Sequence, residues 1–148
     1  MKLLGLDGEI SVQVSDDLNW TGGLILEQYK PASETESWYK PQARVTSNLR
    51  YNFNKQLSFD AEVAVQGQSK AKLYTSSPAS SYVIPNTAIE KIVNVKGFVD
   101  LGIGASYKIN NKFSVFLKAN NLLNTENARY LYYQAIGVNV FGGLTYSF

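Results

Sequence analysis

Large apolar and small or polar residues alternate along most of this chain. The even positions of the stretch 138–148 carry apolar side chains, among them Val140, Leu144, Tyr146 and Phe148. A period of two predicts a β-strand whose two faces meet different surroundings. The alternation recurs in six earlier stretches, at residues 4–15, 20–30, 38–51, 57–69, 96–109 and 113–121. The sequence therefore predicts an all-β protein, built as an antiparallel up-and-down meander of about seven long strands.

The predicted strands are long. Most run for about 10 to 14 residues, whereas strands of soluble proteins average about five or six. At ~3.3 Å per residue, 12 residues span ~40 Å, and a tilt near 45° projects this onto ~28 Å. That height is close to the apolar band of an outer-membrane barrel. Strand length therefore favours part of a transmembrane β-barrel.

The connections between the strands alternate in length. Short turns are predicted at residues 16–19, 52–55 and 110–112, and longer segments at 31–37, 70–94 and 122–137. In a meander this order puts every short turn at one end, as in barrels with short periplasmic turns and long extracellular loops. The segment 70–94 has no clear period, so we expect a large irregular loop there.

The polar face of the predicted sheet carries charges. These residues are Glu27, Arg44, Arg50, Asp60, Glu62 and Lys118. In a transmembrane barrel we expect them to line the lumen, where they contact a partner or simply hydrate the interior. In a soluble barrel the same face is the solvated exterior, and periodicity alone does not say which face is outside.

Composition narrows the function. The 148 residues include ten Tyr, seven Phe and two Trp, and aromatic residues of this kind collect at membrane interfaces. The net charge is +2 and the charges are dispersed, so no nucleic-acid surface is predicted. There is no Cys and no His. We expect no enzyme activity, no cofactor and no metal site, and we assign Asp60 and Glu62 to lumen charge, not to an acid/base pair.

Five tyrosines lie in the predicted loops: Tyr74, Tyr82, Tyr130, Tyr132 and Tyr133. Binding residues concentrate on loops held by a rigid scaffold. Tyrosine rings stack on sugars and on aromatic chelates, so these residues are candidate ligand contacts. The competing interpretation is that they anchor the membrane interface or pack the loops.

A family resemblance rests on four motifs in the region 98–148: residues 99–102 (Val-Asp-Leu-Gly), 107–112 (Tyr-Lys-Ile-Asn-Asn-Lys), 120–124 (Asn-Asn-Leu-Leu-Asn) and 142–148 (Gly-Gly-Leu-Thr-Tyr-Ser-Phe). Together they resemble the C-terminal end of TonB-dependent outer-membrane receptors. The resemblance implies a plug domain followed by a 22-stranded barrel. It also implies import of a scarce nutrient, such as an iron chelate, cobalamin or a glycan, driven through TonB.

The same resemblance gives a role to the end of the chain. The last strand resembles the signal that the barrel assembly machinery recognises, and by position this role falls on Val140, Leu144, Tyr146 and Phe148. The further partners that it implies are outer-membrane lipid, the plug of the same receptor and, through the plug, TonB.

The sequence contains no segment that resembles a signal peptide, a plug or a TonB-contacting box. Bacterial outer-membrane barrels have an even number of strands, so about seven do not close one. We therefore expect residues 1–148 to be a single C-terminal barrel segment of an exported receptor, located in the outer membrane.

Two alternatives stay open. A complete eight-stranded barrel, acting as an adhesin or a pore, requires one more strand in 70–94 or 126–137. A soluble β-sheet binding protein requires one of the two faces to be covered by packing.

Overall fold

The computed structural model describes residues 2–76, 88–126, 128–133 and 136–148, with the backbone alone at 74–76 and 88–90. These residues form strands and connections, with no helix among them. The nine strands are β1 (Lys2–Gln13), β2 (Leu18–Lys30), β3 (Ala43–Asn52), β4 (Leu57–Gln66), β5 (Ser69–Ser76), β6 (Ala88–Val95), β7 (Phe98–Lys108), β8 (Phe113–Asn120) and β9 (Asn139–Tyr146). The predicted all-β class is confirmed.

Seven of the strands form one antiparallel sheet, which we call the wall. Its order is β1-β2-β3-β4-β7-β8-β9, so each strand pairs with the next wall strand along the chain. The longest member, β2, has 13 residues and the shortest, such as β8, have eight. The predicted meander of seven strands is therefore confirmed, with its short connections at one end and its long ones at the other.

The prediction of an irregular loop over 70–94 was wrong for residues 70–76 and 88–94, which form strands, while residues 77–87 lie outside the described residues. Strands β5 and β6 pair antiparallel from Ser69 opposite Val95 to Ser76 opposite Ala88, and they form a separate two-stranded sheet. The apolar signal of β5 is weak because Ala71, a small residue, occupies its fully buried position. The two strands do not join the wall. The described residues therefore supply no eighth wall strand for a small closed barrel.

The strand predicted at 38–51 also begins later, at Ala43. Tyr39 has a left-handed backbone with φ of 57°, which interrupts an extended run. Pro41 follows two residues later and has no N–H to donate to a ladder. Trp38 instead pairs with Lys70 in an isolated parallel bridge. The residues before β3 thus belong to the β2–β3 connection.

Two of the short turns are fixed by asparagine side chains. The carbonyl oxygen of Asn54 accepts the backbone N–H groups of Gln56 and Leu57, both at 2.8 Å. Asn110 accepts those of Lys112 and Phe113 at 2.8 and 3.0 Å in the same way. An asparagine that bonds to the backbone two residues ahead mimics a turn. These local bonds explain why the chain reverses within four residues.

The register places like residues side by side across the wall. One row across the apolar face consists of Val12, Trp20, Leu49, Ala61, Ile103, Ala119 and Val140. The adjacent row on the other face consists of Gln13, Asn19, Arg50, Asp60, Gly104, Lys118 and Phe141. A shift of one residue between any two strands would mix the two faces. The wall therefore has one continuous apolar face and one predominantly polar face.

The apolar face is not covered by other described residues. Leu6, Leu117 and Leu144 keep 60%, 59% and 62% of their surface exposed. The buried apolar side chains of the described residues are Ala71 and Val95, both of the small sheet. An open apolar surface of this extent indicates contact with another apolar phase or partner.

The connection from β8 to β9 is organised by Asn121, which is 2% exposed. Its Nδ2 donates to the carbonyl groups of Thr125 and Ile136 at 3.0 and 3.1 Å, and its Oδ1 accepts the N–H of Thr125 at 3.0 Å. Its own N–H donates to Oδ1 of Asp100 at 3.0 Å. Asn121 has a φ of 50°, a left-handed conformation that asparagine tolerates. The side chain of Asn121 thus ties the two ends of the connection to each other, and its backbone N–H attaches them to β7.

Replacing Asn121 by Ala is expected to lower the free energy of unfolding by about 2 to 4 kcal/mol, because buried backbone groups lose their partners. Asn124 is the matched control: it has a similar φ of 49°, but among the described residues its side-chain oxygen accepts one long bond, of 3.4 Å, from the N–H of Val138. Alanine in a left-handed backbone adds strain at both positions. Apart from that strain, Asn124→Ala should lower the free energy of unfolding by less than about 1 kcal/mol. Urea unfolding of the folded protein measures both. Equal losses would contradict the role given to the Asn121 side chain.

Candidate functional site

The charged residues predicted for the lumen all lie on the polar face of the wall. They are Glu27, Arg44, Arg50, Asp60, Glu62 and Lys118. The register aligns Arg50 with Asp60, and Asp60 with Gly104 and Lys118 beyond it. These side chains therefore share one surface, and whether that surface bounds a lumen stays a prediction.

The centre of the polar face contains an ion pair that reaches across a strand. Lys118 Nζ on β8 lies 2.9 Å from Glu62 Oε2 on β4, with β7 between them. The intervening strand carries Gly102 and Gly104 at this level. A Cβ at Gly104 would lie 2.5 Å from the carboxylate of Asp60, and one at Gly102 would lie 3.0 Å from Cγ of Glu62. Because β7 has no side chain here, both carboxylates lean over it.

The ion pair borders a shallow polar cavity of about 490 Å³. Its polar lining consists of Asn19, Thr21, Asn48, Arg50, Asp60, Glu62 and Lys118. Glu62 and Lys118 retain 44% and 29% of their side-chain exposure, so the pair contributes at most about 1 kcal/mol to stability. This surface offers several donors and acceptors to water or to a polar partner.

The apolar face carries a belt of aromatic residues near the short-turn end. Its members are Trp20, Tyr51, Phe59, Tyr107, Phe113 and Tyr146, and the register sets Tyr51 opposite Phe59 and Phe113 opposite Tyr146. The rings of Phe113 and Tyr146 have centroids 4.7 Å apart. Trp20 Nε1 donates to Ser47 Oγ at 2.9 Å, so its polar group is satisfied beside an apolar ring. Amphipathic rings in this position are typical of membrane interfaces.

Sequence reasoning found only the aromatic residues at the end of the last strand. The rest of the belt comes from five other strands, and its members align only once the register is known. Above the belt lies an apolar depression of about 410 Å³, bounded by small residues such as Ala61, Ala105 and Ala119. A predominantly apolar depression of this kind accommodates a hydrocarbon chain.

At the end of the wall that carries the long connections, three tyrosines form a cluster. The rings of Tyr39 and Tyr130 have centroids 5.0 Å apart at 56°, and those of Tyr130 and Tyr133 are 6.0 Å apart at 65°. Tyr39 belongs to the β2–β3 connection and the other two to the β8–β9 connection. The sequence did not single out Tyr39. The signal that could have identified Tyr39 as a loop residue is the run Trp38-Tyr39 ahead of Pro41, but this run was assigned to a strand.

Two tyrosines of this end have left-handed backbones, Tyr39 with φ of 57° and Tyr132 with φ of 65°. Such a conformation costs about 1 to 3 kcal/mol for a residue other than glycine and persists only where its surroundings hold it. Tyr132 is 84% exposed and Tyr133 is 73% exposed. The aromatic surface is therefore presented to solvent at an energetic cost, as is common for binding surfaces.

A groove of about 630 Å³ runs beside this cluster. Tyr130 and Tyr132 form one side, and Gln66, Lys96 and Phe98 lie on the other. Of the remaining predicted ligand contacts, Tyr82 lies outside the described residues. The backbone of Tyr74 is part of β5 and pairs with that of Glu90, whereas the side chain of Tyr74 is outside the described part. The structure thus brings together three of the five predicted tyrosines.

The β2–β3 connection is attached to β5 by charged and aromatic contacts. Trp38 Nε1 donates to Glu34 Oε2 at 3.1 Å, and Lys72 Nζ lies 3.4 Å from the same oxygen. The hydrogen bond from Trp38, and then the charge of Lys72, lower the pKa of the Glu34 carboxyl. Glu36 pairs in addition with Lys70.

The described residues contain no group of His, Cys, Asp or Glu side chains that is able to hold a metal ion. The carboxylates of Asp60 and Glu62 lie over the glycines of β7, and Glu62 is paired with Lys118. The described residues contain no helix, and therefore no helix that is long and apolar enough to cross a membrane.

No known protein-family profile and no curated protein matches the chain. Several solved structures do. The siderophore receptor PirA from Acinetobacter baumannii is 21% identical with a TM-score of 0.80, over 99% of this chain and 22% of that chain. A variant of the ferric enterobactin receptor PfeA from Pseudomonas aeruginosa is 18% identical with a TM-score of 0.70, over 97% of this chain and 22% of that chain.

The ferripyoverdine receptor of the outer membrane of Pseudomonas aeruginosa is also similar. It is 16% identical with a TM-score of 0.77, over 97% of this chain and 19% of that chain. The chain thus spans about a fifth of the length of these receptors and has the fold of a segment of their barrels. The predicted resemblance to the barrel of this class of receptor is confirmed at the level of the fold.

The lowered pKa of Glu34 predicts a pH-dependent contact. Its contacts with Trp38 and Lys72 are complete above the ordinary carboxyl pKa of about 4.3 and are lost as the pH falls through the lowered value. The chain has two tryptophans, so Trp20→Phe leaves Trp38 as the single fluorescent reporter. We expect its emission to change with a midpoint below the ordinary pKa, and Lys72→Met to raise that midpoint.

The control for this titration is Glu34→Gln in the Trp20→Phe background. It keeps an acceptor for the indole N–H and removes the titrating group, so the transition should vanish. A transition that persists in this variant, or a midpoint at the ordinary pKa in the parent, would contradict the assignment.

Proposed function

We propose that the chain is a C-terminal barrel segment of a TonB-dependent outer-membrane receptor that imports a scarce nutrient. The observation that carries this proposal is the wall itself: seven antiparallel strands with one open apolar face, one polar face and a receptor barrel as the structural counterpart of nearly the whole chain. The receptors to which it is similar are named for iron chelates. We therefore favour an iron chelate over cobalamin or a glycan.

The membrane assignment follows from the apolar face. An uncovered apolar surface that crosses seven strands is unfavourable in water, and lipid removes that cost. The aromatic belt at the short-turn end then lies at the periplasmic interface, and the tyrosine cluster lies on the extracellular side. This orientation supports a location in the outer membrane.

The edges of the wall indicate how it continues. Within the described sheet, β1 and β9 each have one neighbour, so their outer edges carry backbone groups without a ladder partner. Backbone groups in lipid need partners, and closed barrels supply them. Further strands of the same receptor would complete a barrel of 22 strands around this segment.

The polar face fits contact with a domain inside the barrel. Lys118 and Glu62 keep 29% and 44% of their side-chain exposure, so their charged groups are accessible to another domain. We assign this face to the plug of the receptor, which would pass energy from TonB.

The last strand fits the role of assembly signal. Val140, Leu144 and Tyr146 project from the apolar face of β9, and the ring of Phe148 stands at 89° to that of Tyr146 with centroids 5.5 Å apart. Phe148 is fully exposed. An apolar strand end with a free edge is available to the barrel assembly machinery.

The tyrosine cluster fits an iron chelate with aromatic groups. Flat ligand rings stack on tyrosines at centroid distances of about 4.5 to 7 Å, the range already found between Tyr39, Tyr130 and Tyr133. Stacking of this kind requires neither catalysis nor a metal ligand from the chain.

The lipid assignment is tested by placing arginine on each face of β4. Ala61 lies on the apolar face and Ala64, three residues on, lies on the polar face opposite Asp100. In the full-length protein that contains this segment, folded in lipid vesicles, Ala61→Arg should lower the free energy of unfolding by about 2 to 4 kcal/mol, the cost of a cation near the bilayer midplane. Ala64→Arg should change it by less than about 1 kcal/mol.

Chemical denaturation of the two variants in the same vesicles gives the comparison. Equal tolerance of both arginines would mean that both faces meet water, and the soluble binding protein would then be the better interpretation. A compact, heat-modifiable monomer formed by the isolated chain would instead favour the small closed barrel.

The ligand assignment is tested with a ferric catecholate and a ferric hydroxamate, which differ in aromatic groups. Tyr130→Ala should weaken binding of the catecholate about two- to tenfold, because a stacked aromatic pair is worth roughly 0.5 to 1.5 kcal/mol. Tyr130→Phe keeps the ring and should bind almost as the parent does. Equilibrium binding to the protein in outer-membrane vesicles measures both. Unchanged affinity of Tyr130→Ala for both chelates would remove the cluster from the site.

A further inference from the structure

Three segments of the chain meet beside the tyrosine cluster. The β2–β3 connection contributes Glu34, Glu36 and Trp38, and β5 contributes Lys70 and Lys72. We call these five residues the clasp. The third segment is the β8–β9 connection, which carries Tyr130 and Tyr133.

The side chains of the clasp form two linked ion pairs. Lys72 Nζ lies 3.4 Å from Glu34 Oε2 and 5.6 Å from the centroid of the Trp38 ring, so one ammonium group contacts both. Trp38 Nε1 donates to the same carboxylate at 3.1 Å. Lys70 pairs with Glu36. Each basic residue of β5 is thus matched with an acidic residue of the β2–β3 connection.

Backbone contacts join the β2–β3 connection to β5 at the same place. Trp38 and Lys70 form a parallel bridge, and the N–H of Tyr39 donates to the carbonyl of Lys70 at 2.7 Å. The donor of this bond, Tyr39, is the residue whose backbone is left-handed, with φ of 57°. A strained backbone persists where neighbouring contacts fix it, and here those contacts come from β5.

The conformation of Tyr39 decides where its ring lies. The ring contacts Tyr130 with centroids 5.0 Å apart, and this is the aromatic contact between the two long connections in the described part of the chain. A series of contacts therefore connects the ion pairs, through Trp38 and the backbone of Tyr39, with the ring of Tyr130.

We propose that the clasp is a positioning device: the Glu34–Lys72 and Glu36–Lys70 pairs hold the β2–β3 connection on β5 and thereby hold Tyr39 against Tyr130. The two small-sheet strands then serve to align an aromatic surface that spans two other connections. The relevance to ligand binding rests on the proposed function, whereas the alignment itself does not.

The physical consequence is sensitivity to salt. The charges are exposed, so each pair is weak alone and screened by ions, and at ~1 M salt the Debye length falls to ~3 Å. Because the clasp orders the tyrosines in advance, a ligand that stacks on them does not bear that entropic cost. Opening the clasp should therefore weaken binding without removing any ligand contact.

The test is a charge swap at Glu36 and Lys70, whose backbone contacts stay in place. Glu36→Lys and Lys70→Glu each put like charges together, and the double variant restores an opposite pair. The readout is hydrogen exchange at the amide of Tyr39 in the full-length protein that contains this segment, folded in lipid vesicles. We expect each single variant to raise that exchange about two- to fivefold, the range for one exposed ion pair. The double variant should return it to the parent value.

Two controls accompany the swap. Lys55→Glu reverses a charge in a short turn at the other end of the wall and should leave Tyr39 exchange unchanged. The amide of Asn121, bonded to Asp100, reports whether the wall is intact in every variant. In the parent, ~1 M salt should raise exchange at Tyr39 as the single variants do, because it screens the same pairs.

Unchanged Tyr39 exchange in both single variants, with Asn121 protected, would overturn the proposal. So would a double variant no better than the singles, since a positioning role requires rescue. Affinity for a ferric catecholate is measured on the same proteins. Rescue of exchange with no chelate binding in any variant, the parent included, would refute the proposed ligand and leave the clasp supported.

Discussion

The antiparallel ladder of backbone hydrogen bonds from β1 to β9 is the interaction on which the rest of the structure depends. The described wall has no dry core to hold it, because its apolar side chains stay open on one face. The ladder alone fixes the register, and the register sorts side chains with a period of two. One set of bonds thus produces a surface suited to lipid and, 180° away, a surface suited to polar partners.

Glycine and asparagine adapt this regular ladder at particular places. Gly102 and Gly104 leave room on β7 for carboxylates of β4, so that an ion pair spans three strands. Asn54 and Asn110 close short turns at one end, while Asn121 anchors a long connection at the other. The short-turn end is therefore built from local contacts. The opposite end is built from contacts between distant segments, which is where variable binding surfaces are expected.

The sequence predicted the wall well because its determinants are local. Alternation, strand length and turn residues can each be counted along the chain, and seven strands with segregated connections followed from them. The small sheet was missed because β5 buries an alanine at Ala71 and so has almost no amphipathic signal. The start of β3 was misplaced because Tyr39 and Pro41 interrupt a run of residues that otherwise favours a strand.

The candidate site divides in the same way. The sequence by itself determined the charged residues of one face, the tyrosines of the β8–β9 connection and the alternation of the last strand, since each follows from residue type and position. Only the tertiary structure decided that Tyr39 joins Tyr130, that Lys118 reaches Glu62 across β7, and that six strands align an aromatic belt. The physical reason is that these contacts depend on register and on loops closing over long separations, and no local pattern encodes either.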